Sequence, residues 1–433
     1  MSENIAVIGL SWGDEGKGKF VDYLAQRADI VVRYNGGNNA GHTINANGIK
    51  YKFKLMPSGA PLEKECVIAN GCVVDPEVLL EEIENLKKLG KKINLKLSST
   101  AHVIFPFHRA LDSLEEVSKG KYSAGTTKKG IGPTYSDKAA RWGLRIFDLV
   151  HPDILKPKLE KLYNIKKRLI QIYDPTWDID SDSIFEEYKT YGEKLKPYVI
   201  DTASYLNKII DSGKKIVFEG AQGSLLGIDH GFYPYGTSSN SNALGICAGT
   251  GIPPKKIGKI LGIIKAYTSR VGEGKFPTEL FNDTAEKIRE QGHEYGTVTG
   301  RPRRVGWLDL VNIKYGIMIN GVEETIITLL DALGDINPIL MCTNYEKDGE
   351  ILDNWPVQSE IIEDCKPIYK RFKGWASRSK EEWSQIVMNG YDALPDTMKT
   401  YIETIQKELN IDVVMISIGP NREDTIVLKD IGF

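Results

Sequence analysis

What this chain lacks narrows what it can be. Its 433 residues hold 56 lysines and arginines against 58 aspartates and glutamates, a net charge of −2. With no basic excess, neither nucleic acid nor an anionic membrane is expected as a partner. The five cysteines (Cys66, Cys72, Cys247, Cys342, Cys365) are odd in number, scattered, and form no C-x-x-C. That argues against a disulfide framework or a zinc site and for buried thiols in a reducing compartment. No apolar run reaches the roughly eighteen residues of a membrane span. The N-terminus has neither a basic n-region nor a long apolar h-region, so a cytoplasmic protein is expected. Low-complexity linkers and internal repeats are absent too. The 41% hydrophobic content is ample for a core. The simplest organisation is one domain over residues 1–433, with a mainly helical insertion at about 152–210 that breaks near Asp174-Pro175.

What is present is an alternation of strand-like and helix-like stretches. Candidate strands lie at 5–9, 29–33, 215–218, 257–266, 325–330, 338–342 and 413–418. A helix is expected from Asp75-Pro76 to Leu89, stopped by Gly90. Strands alternating with helices predict an α/β fold around a large, mainly parallel central sheet flanked by helices.

The loops between these elements carry the chemistry. After the first strand comes Trp12-Gly-Asp-Glu-Gly-Lys-Gly-Lys-Phe20, and a helix follows from Phe20. Strand, glycine-rich loop and helix aim backbone N–H groups at phosphate. From Gly13 the loop fits G-x-x-x-x-G-K, but Phe20 stands where a P-loop needs a Ser or Thr hydroxyl for magnesium. The expected fold is therefore P-loop-NTPase-like but atypical. Two carboxylates, Asp14 and Glu15, also sit where phosphate should. An acid there repels phosphate unless a cation bridges them or the acid takes part in the reaction.

Four more loops are dense in polar groups. Asn35-Gly-Gly-Asn-Asn-Ala-Gly-His-Thr43 places a histidine among glycines at a strand's C-terminal end, where ligands bind in open α/β sheets. Residues 125–141 combine Thr127, Lys128, Lys129 and Arg141, which suit a phosphate; a solvated basic loop fits that composition nearly as well. Phe218-Glu-Gly-Ala-Gln222 runs on to Thr237-Ser-Ser239. Gln222 has the donor and acceptor that reading a base edge needs, and a solvent-facing turn residue is an equal alternative. Thr297-Val-Thr-Gly-Arg-Pro-Arg-Arg304 sets three arginines in four residues, and arginine forks match carboxylate and phosphate.

Together these segments resemble the adenylosuccinate synthetase family over nearly the whole chain, from Ser11-Trp-Gly-Asp-Glu-Gly-Lys-Gly-Lys19 to Ser417-Ile-Gly-Pro420. Asn-Asn-Ala-Gly-His-Thr, Gly-Ile-Gly-Pro, Phe-Glu-Gly-Ala-Gln-Gly, Tyr-Pro-Tyr-x-Thr-Ser-Ser and Thr-Gly-Arg-Pro-Arg-Arg recur between them in that order. The resemblance implies GTP-dependent joining of L-aspartate to IMP through a 6-phosphoryl intermediate, giving adenylosuccinate, GDP and phosphate, with Mg²⁺ required. Two rivals are a GTP-binding switch protein, which would want an N-K-x-D motif not found here, and a related ligase with another acceptor.

Site roles follow from the same resemblance. Asp14 is expected as the base at purine N1, His42 as the general acid, and Lys17 and Gln222 as further catalytic groups. Asp14 and the Gly41 carbonyl are the implied Mg²⁺ ligands. The GTP site would draw on Gly13, Glu15, Gly16, Lys17, Gly18, Lys19, Gly41, His42, Thr43, Arg303, Asp331, Ser417 and Gly419. The IMP site would use Asp14, Asn39, Thr127, Gln222, Thr237 and Arg301, with Arg141 reaching in from the second subunit of a homodimer. Thr299, Gly300 and Arg301 would grip aspartate. One departure stands out: the family usually has Lys two residues before Asp331, and here it is Leu329. The expectation is guanine selectivity kept by Asp331, with weaker nucleotide binding. Lys275 also stands where Pro is common.

Overall fold

Short β-branched runs build the centre of the molecule. In the computed structural model, which describes residues 3–46, 48–123, 125–296 and 300–433, β1 (Ile5–Gly9) lies in the middle of a ten-stranded sheet. On one side follow 216–219, β2 (Ile30–Arg33), 65–68, 95–98 and 199–200; on the other, 259–265, 324–328, 412–417 and 425–427. All neighbours pair parallel except 425–427, which runs antiparallel to 412–417. The sheet is thus mainly parallel, as expected.

Parallel strands are buried on both faces and read as unbroken apolar runs. Ile5 and Val7 pack with Phe20, Val21 and Leu24, whereas Ala6 and Ile8 pack with Leu206, Phe218 and Ile246. The first group comes from α1 (Lys17–Ala25), which starts three residues earlier than the sequence indicates. The helix expected after Asp75 runs from Pro76 to Lys88.

Two departures from the sequence reading are informative. The strand expected at 338–342 extends to Lys347 and belongs to a separate four-stranded sheet with 308–309, 350–352 and 366–372. Strands 65–68 and 95–98 fill out the main sheet but had not been marked. The first is only three apolar residues after Glu65, and Lys96 interrupts the second. The 152–210 segment contains helices Pro152–Tyr173, Ser181–Leu195 and Thr202–Asp211, and also the edge strand Val199–Ile200. No helix among the described residues is long and apolar enough to cross a membrane.

Parallel order puts the C-terminal ends of Gly9, Arg33, Glu219, Lys265, Thr328 and Ser417 on one edge. Ligands of open α/β sheets bind along that edge, and the loops after Gly9, Arg33 and Glu219 leave from it, whereas the 125–141 segment follows helix Pro106–Ser118.

Candidate active site

The opening loop disposes of its two acids in opposite ways. Glu15 turns inward: its Oε1 accepts from the Gly13 amide (2.8 Å) and the Ser11 amide (3.2 Å), and its Oε2 from Lys17 Nζ (2.7 Å). The carboxylate fills space that a Cβ on Gly9 or Gly223 would invade, at 2.1 Å and 2.8 Å. Asp14 turns outward, in the left-handed region at φ 57°, with its side chain 37% exposed. Its Oδ2 lies 3.0 Å from Arg303 Nε. This is a charge contact rather than a directed bond, because that N–H makes no hydrogen bond among the described residues. Phe20 is fully buried under the sheet, so its position serves the core.

His42 opens a hairpin, β3 (His42–Ala46) with β4 (Ile49–Phe53), that lies against the start of α1. A Cβ on Gly18 would stand 3.6 Å from the His42 ring and 3.5 Å from the Thr43 carbonyl, in ordinary van der Waals contact, so the imidazole lies directly beside the loop. His42 Nε2 is 3.6 Å from Glu219 Oε1 and has no hydrogen-bond partner among the described residues. Burial pushes its pKa down to about 4, against the pull of Glu219, so the ring is neutral at neutral pH. Glu219 is itself fixed by the Ser58 amide and hydroxyl at 2.8 and 2.7 Å. It went unassigned in the sequence, although it stands inside the Phe-Glu-Gly-Ala-Gln segment.

The polar loops are tied to one another. Asn35 accepts from the Ala221 amide (2.9 Å) and donates to Ser239 Oγ (3.2 Å). Gln222, at φ 64°, donates to Thr237 Oγ1 (3.4 Å) and accepts from Ser239 (3.3 Å). Its backbone packs 3.5 Å from where a Gly13 Cβ would lie. Asn39 keeps a buried Oδ1 without a hydrogen-bond partner among the described residues. Gly41 sits half-buried just before β3. Asp75 stands at its helix's N-cap but makes no cap; its carboxylate takes Asn38 Nδ2 (2.7 Å) and Arg109 Nη2 (2.6 Å). Thr127 is exposed on a loop held by Asp112 and Glu116. These acids lie one turn apart on helix Pro106–Ser118, a spacing the sequence contained. Arg141 ends helix Ile131–Ala140 at φ 65°, with its side chain exposed.

The three clustered arginines differ. Arg304 forks onto Glu279 and donates to the Gly272 and Gly274 carbonyls. Arg303, its side chain 13% exposed, lies between Glu294 and Asp14. Arg301 is 69% exposed, with Glu273 3.8 Å away. Gly300 takes φ 66°, and Thr299 lies outside the described residues.

The far end of the edge suits a base. Asp331 follows strand 324–328 and keeps a buried Oδ1 without a hydrogen-bond partner among the described residues. Burial raises its pKa. Lys19 Nζ reaches across from α1 to Ser417 Oγ (2.6 Å), the Asp424 carbonyl (2.9 Å) and the Gly419 carbonyl (3.1 Å). Burial lowers its pKa to about 8, opposed first by Asp424 and then by Asp331. Asp22 and Arg422 add a bidentate pair at 2.8 Å between the same segments. A pair separated by 400 positions leaves no local trace in sequence. Leu329 holds φ 59° and packs onto the apolar cluster beneath. Left-handed non-glycine residues are costly, and here Asp14, Gln222 and Leu329 gather at one edge.

As to a metal, the described residues contain no group of three or more His, Cys, Asp or Glu that could cage one. A single outward carboxylate beside a phosphate-type loop fits Mg²⁺, which takes one or two carboxylates plus substrate phosphates and keeps several waters.

Comparison with known proteins identifies the family. The adenylosuccinate synthetase family profile matches residues 6–426. The chain is 48% identical over 428 residues to the adenylosuccinate synthetase of a Thermoanaerobacter species, covering 98% of this chain and 99% of that one. It is similar to the structure of fully ligated adenylosuccinate synthetase from Plasmodium falciparum, with TM-score 0.92 and 40% identity over 99% of this chain and 100% of the other. A cyanophage S-2L succinoaminodeoxyadenylate synthetase shares the fold, with TM-score 0.63 and 19% identity over 99% and 97%. A match this long and this close in sequence settles kinship: the chain belongs to the adenylosuccinate synthetase family.

Proposed function

We propose that this chain's activity and its residues fit together as follows. The enzyme joins L-aspartate to IMP at the expense of GTP, giving adenylosuccinate, GDP and phosphate. The observation that carries the residue assignment is the split between the two loop acids, which leaves one outward carboxylate in a loop whose Gly18 lies against a neutral histidine with an unpartnered Nε2.

Asp14 accepts the proton of purine N1, so that the 6-oxygen attacks the γ-phosphorus of GTP. A neutral His42 donates an Nε2–H hydrogen bond to an oxygen of the transferring phosphoryl group and then serves as the acid by passing to the departing phosphate the proton that the aspartate amine gives up as it attacks C6. Amides of the Gly13–Lys19 turn cradle phosphate. Gln222, with Thr237 and Asn39, orients the purine nucleotide. Arg303 offers its guanidinium to GTP, and Thr299, Gly300 and Arg301 take aspartate. Asp331, with Ser417 and Gly419, reads guanine N1–H and N2–H₂. Asp14 and the Gly41 carbonyl would hold Mg²⁺, which would supply charge neutralisation for the phosphates. Arg141 completes the neighbouring subunit's IMP site, so the working unit is a homodimer. The cytoplasm is the compartment we assign, where five free cysteines stay reduced.

Incubation with GTP, IMP, aspartate and Mg²⁺, followed by purine absorbance, tests the activity. Adenylosuccinate formation is expected. GTP hydrolysis without IMP consumption, or turnover only with another acceptor, would overturn it.

A further inference from the structure

Behind Arg303 lies a buried carboxylate with no part in the assignments above. Glu294 Oε1 accepts from Lys265 Nζ (2.6 Å) and from the Tyr267 hydroxyl (2.5 Å), and its Oε2 accepts from Arg303 Nη1 (2.8 Å). Side-chain exposure is 1% for Glu294 and 4% for Lys265. Lys265 ends the central strand 259–265, so the carboxylate is anchored to the sheet itself. The Arg303 amide also donates to the Glu294 carbonyl (2.8 Å), closing the base of a loop whose arms meet again at Tyr295 and Pro302.

Lys265, Glu294, Arg303 and Asp14 therefore form a line of alternating charge that runs from the sheet to the exposed acid. Burial would raise the Glu294 carboxyl, but Lys265 and Arg303 outweigh it and hold it at about 2, so Glu294 stays a carboxylate between its two cations. Only one link is loose. The Arg303–Asp14 contact lacks hydrogen-bond geometry and ends on a partly exposed side chain, so an incoming anion can take the place of Asp14 on Arg303. The fork itself stays put, because Glu294 has removed the rotamer freedom that a long arginine otherwise loses on binding.

We infer that Glu294 is a positioning residue: it presents Arg303 to substrate and holds the stem of the 294–303 loop. The inference rests on Asp14 and Arg303 acting in the reaction. A purely structural Glu294 would leave the same hydrogen bonds, so the test must separate action through Arg303 from general stability.

The experiment is a double-mutant cycle on the full-length enzyme with E294Q, R303M and the pair. It follows kcat, the three KM values and thermal unfolding. E294Q is expected to lower kcat about 10–100-fold with KM for IMP changed less than about twofold, and to add almost nothing on the R303M background. An equal fractional loss on both backgrounds, or a loss that merely follows the folded fraction, overturns the inference. If E294Q does not fold, Y267F removes one donor and no charge. It should give a smaller kcat loss that likewise vanishes with R303M; wild-type kinetics in Y267F would overturn the idea. Absence of wild-type turnover would instead overturn the reaction assignment and this inference with it, whereas additive losses in a working enzyme sink only the role of Glu294.

Discussion

Glu15 and Lys17 form a buried ion pair 2.7 Å apart inside the phosphate loop, with side chains 2% and 10% exposed. The acid that seemed misplaced beside phosphate is thus a brace for the loop. Asp14, its neighbour, is the acid left for chemistry. The two should respond differently to loss of charge. Glu15→Gln strands a buried ammonium, and should cost about 3–5 kcal/mol of stability in denaturant unfolding. Asp14→Asn removes a half-exposed ion pair and should cost less than about 1 kcal/mol, while lowering kcat by ~10²-fold or more. Equal stability losses would contradict this division.

Sequence reasoning reached the edge of the sheet where the site lies, because glycine-rich loops after apolar runs mark the C-terminal ends of parallel strands. The loop's own pattern could not separate Glu15 from Asp14, although the resemblance gave Asp14 the base's role, since their difference lies in φ 57° at Asp14 and in the room beside Gly9 and Gly223. Nor could sequence reasoning find Lys19 on Ser417 or Asp22 on Arg422, which only the closed sheet brings together. Strands 65–68 and 95–98 are short, the second broken by Lys96, and tertiary pairing rather than local pattern defines them.

His42 predicts a pH signature. Its pKa falls from the ordinary histidine value to about 4 through burial, so between roughly pH 6.5 and 4 the unfolded chain binds the proton and the folded one does not. Stability referable to His42 is therefore present above about pH 6.5 and is lost as pH falls towards 4. Relative to His42→Asn, the wild type should lose up to roughly 3 kcal/mol across that window in urea unfolding, and nothing between pH 7 and 8. A flat difference would show an imidazole that is not buried neutral.

The proposed guanine pocket gives Leu329 and Asp331 separate parts to test. Leu329 packs on the core and brings no charge, so Leu329→Lys should lower KM for GTP severalfold with kcat unchanged. Asp331→Asn removes the acceptor for guanine and should cut kcat/KM for GTP by about 10²-fold or more, eroding preference over ATP. Measured kcat/KM for both nucleotides checks each statement.

Arg141 tests the dimer. Arg141→Leu and Asp14→Asn should each be nearly inactive. Mixed one to one and allowed to exchange, they should recover about a quarter of wild-type activity, because half the dimers then contain one intact composite site. No recovery despite demonstrated exchange would place Arg141 in its own subunit's site.

The central claim is that the 6-oxygen of IMP, freed by Asp14, attacks GTP. IMP labelled with ¹⁸O at position 6 reports on it directly, through the mass of the phosphate released during turnover with GTP and aspartate. The account predicts one ¹⁸O in that phosphate; unlabelled phosphate would contradict it.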